Sequence, residues 1–355
     1  MSDTKEYFQG RGSQINTANP YLRQQYVREH IEGLDEEMLS NGKTEFFEEH
    51  PKKIVNKVDS PDIGPALSMN PYQGCEHGCI YCYARNVHQY WGFSAGLDFE
   101  RKIIVKPEAP ELLEKQLSNP KWKPAPIMLS GNTDCYQPAE RKFRITRRML
   151  EVLLRHRHPV GIITKNALIL RDLDLLSELA KLRLVHVMVS ITSLNEDLRL
   201  VMEPRTVTAK NRLRVIEELT KAGVPAGVMN APLIPGLNTE EIPSVIKAAA
   251  EHGAVDAGYT IVRLNGAVKD IFRDWLYKNF PDRGDKVWHQ IMECHGGQVN
   301  DSRFGVRMRG EGKIAESIKQ LFKMAVKKYM KGRESYELNT EDFMYNPDNA
   351  QLSLF

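Results

Sequence analysis

From residue 66 onward, short apolar runs alternate with stretches whose apolar residues recur every three or four positions. That alternation predicts βαβ units around a parallel sheet. The apolar runs predict strands over 66–69, 127–130, 160–164, 185–191, 226–230 and 259–263, and the helical spacing predicts helices over 145–156, 172–181, 208–222 and 239–252. Gly223 and Gly253 stand just past two helix ends, where a left-handed cap is needed. The periodicity is compatible with a doubly wound sheet and with a barrel.

Both flanks differ from this middle part. Residues 1–65 read as an extension without a catalytic motif: 20–34 has helical spacing, with Tyr21, Tyr26, Ile31 and Leu34 as candidate buried positions, between turns at Gly10-Arg11-Gly12 and Asn41-Gly42-Lys43. Residues 265–334 read as a helical extension with helices over 268–279, 285–293 and 313–330, and 335–355 as a flexible tail. Hydrophobic residues at 41% and charged residues at 27% exclude disordered and membrane classes, and no apolar run reaches bilayer length. The first residues lack the basic and apolar regions of a secretory signal, and three of five cysteines share one loop, so a reducing, cytoplasmic setting is expected. A net charge of +3 selects no partner.

The chemistry concentrates in Asn70-Pro71-Tyr72-Gln73-Gly74-Cys75-Glu76-His77-Gly78-Cys79-Ile80-Tyr81-Cys82-Tyr83-Ala84. Cys75, Cys79 and Cys82 are spaced C-x3-C-x2-C, close enough for three sulfurs to converge, and thiolates select iron-sulfur clusters, zinc or Cu(I). Structural zinc wants four ligands, whereas a four-iron cluster on three cysteines keeps one iron open. The competing reading is a zinc site completed by His77, His88 or Cys135.

At these residues the chain resembles the radical S-adenosylmethionine (SAM) enzymes, whose hallmark is this spacing with an aromatic, here Tyr81, before the third cysteine. The resemblance implies a 4Fe-4S cluster, SAM on the open iron, and reductive cleavage of SAM to a 5′-deoxyadenosyl radical by an electron from a donor such as flavodoxin or ferredoxin. It also implies an α/β fold, a partial (βα)6 TIM-like barrel over 66–264, with the cluster at the carboxyl ends of the strands. Polar residues at those ends are then candidates for SAM. Asn132, Thr133 and Asp134 stand where the family grips the amino group; Lys165 or Arg205 is the carboxylate partner, and Ser190 meets ribose or carboxylate. Tyr81, Ile234 and Val262 are expected beside the adenine, with backbone groups of Val262 and Leu264 at its edge.

Asn70-Pro71-Tyr72, Ser130-Gly131-Asn132-Thr133-Asp134, Ile163-Thr164-Lys165-Asn166 and Met202-Glu203-Pro204-Arg205 are similar to a bacterial branch of that family related to spore photoproduct lyase. That likeness implies DNA as substrate and makes Cys135 a candidate catalytic hydrogen-atom donor. Two further features lie outside the barrel. The interval 301–312 interleaves Arg303, Arg307 and Arg309 with glycines, a pattern suited to phosphate. Gln351-Leu352-Ser353-Leu354-Phe355 resembles the bacterial sliding-clamp-binding motif, with Gln351, Leu352, Leu354 and Phe355 as contacts. The expected function is a radical SAM enzyme that repairs or modifies a DNA base, recruited by the replication clamp. The alternatives are the same chemistry on RNA, peptide or a small molecule, and a nonenzymatic zinc or iron-sulfur protein that binds nucleic acid.

Overall fold

Six parallel strands, each beside its neighbour in sequence, set the architecture. The computed structural model describes residues 8, 10–21, 43–58, 60–62, 66–333 and 336–346. All but the first two positions of the expected 20–34 helix, and the whole Gln351–Phe355 motif, fall outside them.

The described strands are β1 (Glu45–Glu48), β2 (Asn56–Val58), β3 (Ala66–Met69), β4 (Tyr72–Gln73), β5 (Lys102–Val105), β6 (Ile127–Leu129), β7 (Val160–Thr164), β8 (Val185–Ser190), β9 (Ala226–Leu233) and β10 (Ala257–Ile261). Strands β3, β6, β7, β8, β9 and β10 pair in that order, all parallel, with registers such as Leu67 to Ile127, Leu129 to Ile162 and Val189 to Val228. A doubly wound sheet reverses its strand order at a switch point. Here the order never reverses, so the strands form the wall of an open barrel. Their near-continuous apolar composition fits burial on both faces, as in the run Val160-Gly161-Ile162-Ile163-Thr164.

The helices are α1 (Arg85–His88), α2 (Leu97–Arg101), α3 (Ala109–Leu117), α4 (Glu140–Phe143), α5 (Ile145–Arg155), α6 (Leu173–Lys181), α7 (Glu196–Met202), α8 (Ala209–Lys221), α9 (Ile242–Glu251), α10 (Val268–Asn279), α11 (Gly284–Glu293) and α12 (Gly312–Tyr329). Helix α5 shows why they pack outside the sheet: Ile145, Met149, Leu150, Val152 and Leu153 are buried, forming one apolar stripe. Gly223 and Gly253 take φ of 77° and 95° at the ends of α8 and α9, as their position predicts. The main core joins both layers through Leu129, Ile162, Val187, Val228, Leu150, Ile216 and Ile246.

The segment before residue 66 is woven into the fold more than its pattern suggests. Strand β2 pairs antiparallel with β3, and β1 lies parallel to β5 in a second sheet ordered β1-β5-β4. These strands are three or four residues long and largely exposed, too short to show a period. At the other end, residues 336–346 of the expected flexible tail run along the barrel. Asn339 N–H donates to Arg183 C=O at 2.8 Å, Met344 N–H donates to His156 C=O at 2.9 Å, and Phe343 meets the His158 ring edge-on at 5.4 Å.

His158 is buried beneath this strap. Its Nε2 accepts from Trp122 Nε1 at 3.1 Å, which leaves the ring proton on Nδ1 facing Pro159 C=O at 3.0 Å. Burial lowers its pKa to about 4, and does the same for His88, whose ring sits between Phe93 and Phe99. Both are neutral in the folded chain, so the unfolded chain takes up protons first. Their contribution is complete above the unfolded value near 6.5 and is lost as pH falls toward 4, by about 3 kcal/mol per histidine at most. Urea midpoints measured from pH 7 to pH 4 should fall, and His158→Gln, which keeps an acceptor for Trp122, should show a shallower decline.

Candidate active site

The cysteine loop leaves β4 and enters α1, above the carboxyl ends of the barrel strands. Cys75 and Cys79 are buried and Cys82 is half-buried. Gly78 has φ of 70°, and a Cβ there would meet the Glu100 carboxylate at 3.0 Å, so only glycine lets the loop turn against that acid.

Arg85 braces the loop from below. Fully buried, it donates from Nε to Cys79 C=O at 3.0 Å, from one terminal nitrogen to Ala95 and Gly96 C=O, and from the other to Gly78 C=O and Glu100 Oε1 at 2.6 Å. All five guanidinium N–H groups are therefore used. Glu100 also accepts from Gly12 and Ser13 N–H, drawing residues 10–19 across the loop. The approach is close: a Cβ on Gly12 would lie 1.7 Å from Gly78 O.

A second buried ion pair holds the other side. Tyr81 donates its hydroxyl to Glu203, which also accepts from Thr192 Oγ1 at 2.6 Å and pairs with Arg212. Arg212 donates further to Ser190 C=O at 3.0 Å. Burial alone would raise the Glu203 pKa; Arg212, Lys165, Thr192 and Tyr81 outweigh it and hold the carboxyl at about 2. Backbone bonds from Ile80 N–H to Met202 C=O and from Arg205 N–H to His77 C=O complete the tie.

His77 is pinned between Asp134 at 3.4 Å and Asn166 Nδ2 at 3.1 Å, and burial pushes its pKa down. Gln137 bonds Glu76 N–H and Gly74 C=O. These anchors carry none of the expected cofactor roles. His77, expected only as a possible zinc ligand, bonds Asp134 and Asn166 instead, and Gln137, Arg85, Glu100, Glu203 and Arg212 carry no sequence signal of their own because each works through a partner on another element. The only local signal was their nearness to the motifs around the cysteines and at 202–206.

The SAM candidates fall as follows. Asp134 accepts from Thr164 Oγ1, Lys165 N–H and Tyr136 N–H, each at 2.8 Å, so its carboxylate is engaged by the protein. Thr133 donates to Tyr72 C=O, while Asn132 donates through Nδ2 to Gln73 at 2.8 Å. The Lys165 ammonium lies 5.9 Å from the Tyr81 ring centroid and forms no ion pair among the described residues, whereas Arg205 stands 3.6 Å from Glu76. Ser190 is buried at the end of β8. Ile234 and Val262 share one apolar cluster with Cys79, Ile80 and Tyr81. Of the backbone groups expected at the adenine edge, the Val262 N–H is bonded to Leu233 C=O, the Val262 C=O accepts from His295, and the Leu264 N–H is bonded to Val299 C=O. Cys135 is fully buried in the main core, its N–H bonded to Ser130 Oγ and its C=O to Thr146.

Three thiols, raised by burial and acting on one another, with Cys79 pushed up to about 12, form a donor set that a cationic metal group would convert to thiolates. Among the described residues no three His, Cys, Asp or Glu side chains converge on one ion position. Three cysteines fall one ligand short of a closed four-coordinate zinc site and suit a cluster that keeps one iron open. Glu203→Ala should leave Arg212 charged, buried and without its carboxylate, costing about 3–5 kcal/mol. Urea denaturation should read that loss, and iron bound per chain after reconstitution should fall with it.

The family model described as the Radical SAM superfamily matches residues 69–249. An uncharacterised protein of Mycobacterium bovis is 32% identical over 240 residues, covering 67% of this chain and 71% of the relative. An uncharacterised protein of Methanocaldococcus jannaschii is 27% identical over 243 residues, covering 68% and 86%. Among solved structures, spore photoproduct lyase complexed with dinucleoside spore photoproduct superposes with a TM-score of 0.58 at 14% identity, over 85% of this chain and 86% of that one. A point mutant of the same lyase gives 0.59 at 13% identity, over 87% and 88%; this likeness is one of fold. Members of the matched family are enzymes that use a 4Fe-4S cluster and SAM and need a reductant. The chain belongs to the radical SAM superfamily.

Proposed function

We propose that this chain is a radical SAM enzyme acting on DNA, where it repairs or modifies a base lesion. The observation that carries the reading is the cysteine loop, braced on both sides by buried ion pairs and set over the carboxyl ends of β6, β7 and β8. When bound, the cluster and SAM supply a 5′-deoxyadenosyl radical by one-electron reductive cleavage. Cys75, Cys79 and Cys82 hold the cluster. Lys165 is the carboxylate partner preferred over Arg205, since among the described residues it forms no ion pair while Arg205 stands 3.6 Å from Glu76. Asn132 is the amino-group acceptor preferred over Thr133 and Asp134: its Nδ2 is spent on Gln73, leaving Oδ1. Ser190, Tyr81, Ile234 and Val262 line the remainder. Cys135 packs in the core, and its burial favours a structural thiol over a hydrogen-atom donor.

The DNA half rests on fold likeness to a lyase solved with a dinucleoside lesion, and on the final residues. Gln351, Leu352, Leu354 and Phe355 are proposed to dock on the replication clamp, and a flavodoxin or ferredoxin to deliver the electron. No helix among the described residues is long and apolar enough to cross a membrane.

Anaerobic reconstitution with iron and sulfide, followed by reduction with SAM present, should yield 5′-deoxyadenosine. Cys75→Ala should abolish it, and ultraviolet-damaged duplex should raise it over intact duplex. A well-formed cluster that gives no cleavage under any of these conditions would refute the radical reaction; cleavage indifferent to DNA would refute the substrate. Removing the last five residues should abolish binding to purified clamp in a pull-down, and retained binding would dismiss that partner.

A further inference from the structure

The interval 301–312 offers its arginines to this chain, not to a ligand. Arg303 is paired with Asp301 and Glu311, both at 2.5 Å. Arg307 pairs with Asp62 and donates to Ser60 Oγ at 2.6 Å. Arg309 donates to Tyr259 C=O at 2.9 Å and lies over that ring at 4.1 Å. Arg263, two residues beyond β10, is placed differently. Among the described residues its guanidinium has no hydrogen bond and no ion pair, although it is half-buried. Burial and the facing charge of Arg307 push its pKa down. Asp62, the acid that acts on it, is already committed to Arg307 and the Gly305 N–H.

Two exposed aromatic rings belong to its surroundings, one acting on Arg263 and one packed on Arg307. Tyr83, adjacent in sequence to Cys82, interacts electrostatically with Arg263, is 46% exposed, and is fixed by a hydroxyl bond to Gly131 C=O past β6. Phe304 is 52% exposed, with the Arg307 guanidinium 4.3 Å from its centroid. A desolvated guanidinium without a carboxylate calls for an anion, and its planar fork matches phosphate oxygens. Exposed rings on the segments around it suit nucleobases, which stack on any aromatic face.

We propose that Arg263 is the cation of a subsite beside the cysteine loop that takes a backbone phosphate of a nucleic acid strand, with adjoining bases against Tyr83 and Phe304. A carboxylate on a peptide would answer the charge but leave both rings unused. The proposal rests on the DNA reading above and assigns it a contact.

The test is anisotropy of a short fluorescein-labelled single-stranded oligodeoxynucleotide with the full chain across a series of salt concentrations. Arg263→Gln should weaken binding about tenfold and reduce the slope of log affinity against log salt by about 0.7, the loss of one phosphate contact. Arg263→Lys should keep the wild-type slope, and Arg303→Gln, whose cation is already paired, should leave it unchanged. A wild-type slope in Arg263→Gln overturns the subsite while leaving the DNA reading standing. Failure of the wild-type chain to bind any oligonucleotide overturns both, and Arg263-dependent binding of an acidic peptide in its place overturns the phosphate assignment.

Discussion

The structure turns on one buried guanidinium. Arg85 lies beneath a loop whose short turns leave backbone carbonyls without secondary-structure partners, and buried carbonyls are costly when unpaired. By bonding Gly78 and Cys79 C=O together with Ala95 and Gly96 C=O, Arg85 satisfies them from a single point. Its charge is tolerated in the interior because Glu100 meets it at 2.6 Å and Glu100 is in turn saturated by Gly12 and Ser13 N–H. Removing any one of the three leaves the others buried with unmet donors or charge.

Across the loop, Arg212 and Glu203 repeat the arrangement around Tyr81. Buried ion pairs of this kind contribute little net stability relative to apolar packing, because desolvation offsets their attraction. What they supply is position. One ties the loop to α2 and, through Glu100, to Gly12 and Ser13, the other ties it through Tyr81 to Glu203 and α8, and each tolerates only a narrow range of distances and angles. Three thiols proposed to share one cluster need that constraint more than they need stability.

The same logic of satisfied and unsatisfied charge separates structural from ligand-facing residues elsewhere. Asp134, Arg303 and Arg307 are chemically apt for binding, yet each is consumed by neighbours. Lys165 and Arg263 are ordinary in sequence, yet among the described residues neither forms an ion pair, although Glu203 and Asp62 act on them at longer range. A side chain whose valence the fold has not met is available to something else.

The sequence by itself determined the six strands, the helices between them and the cysteine loop, because these depend on period and spacing within a few residues. Residues 145–156 show their apolar stripe, and C-x3-C-x2-C its sulfurs, without reference to anything distant. It left the choice among Asn132, Thr133 and Asp134 open, and it missed β1, β2 and the docking of 336–346. Those outcomes depend on partners that local pattern does not contain: Tyr81 meets Glu203 across 122 positions, and Ser13 meets Glu100 across 87. That Asp62 pairs with Arg307, 245 residues away, and forms no ion pair with Arg263 was likewise settled only by folding. Periodicity reports which face of an element is buried; only tertiary contact decides whose charge is answered there.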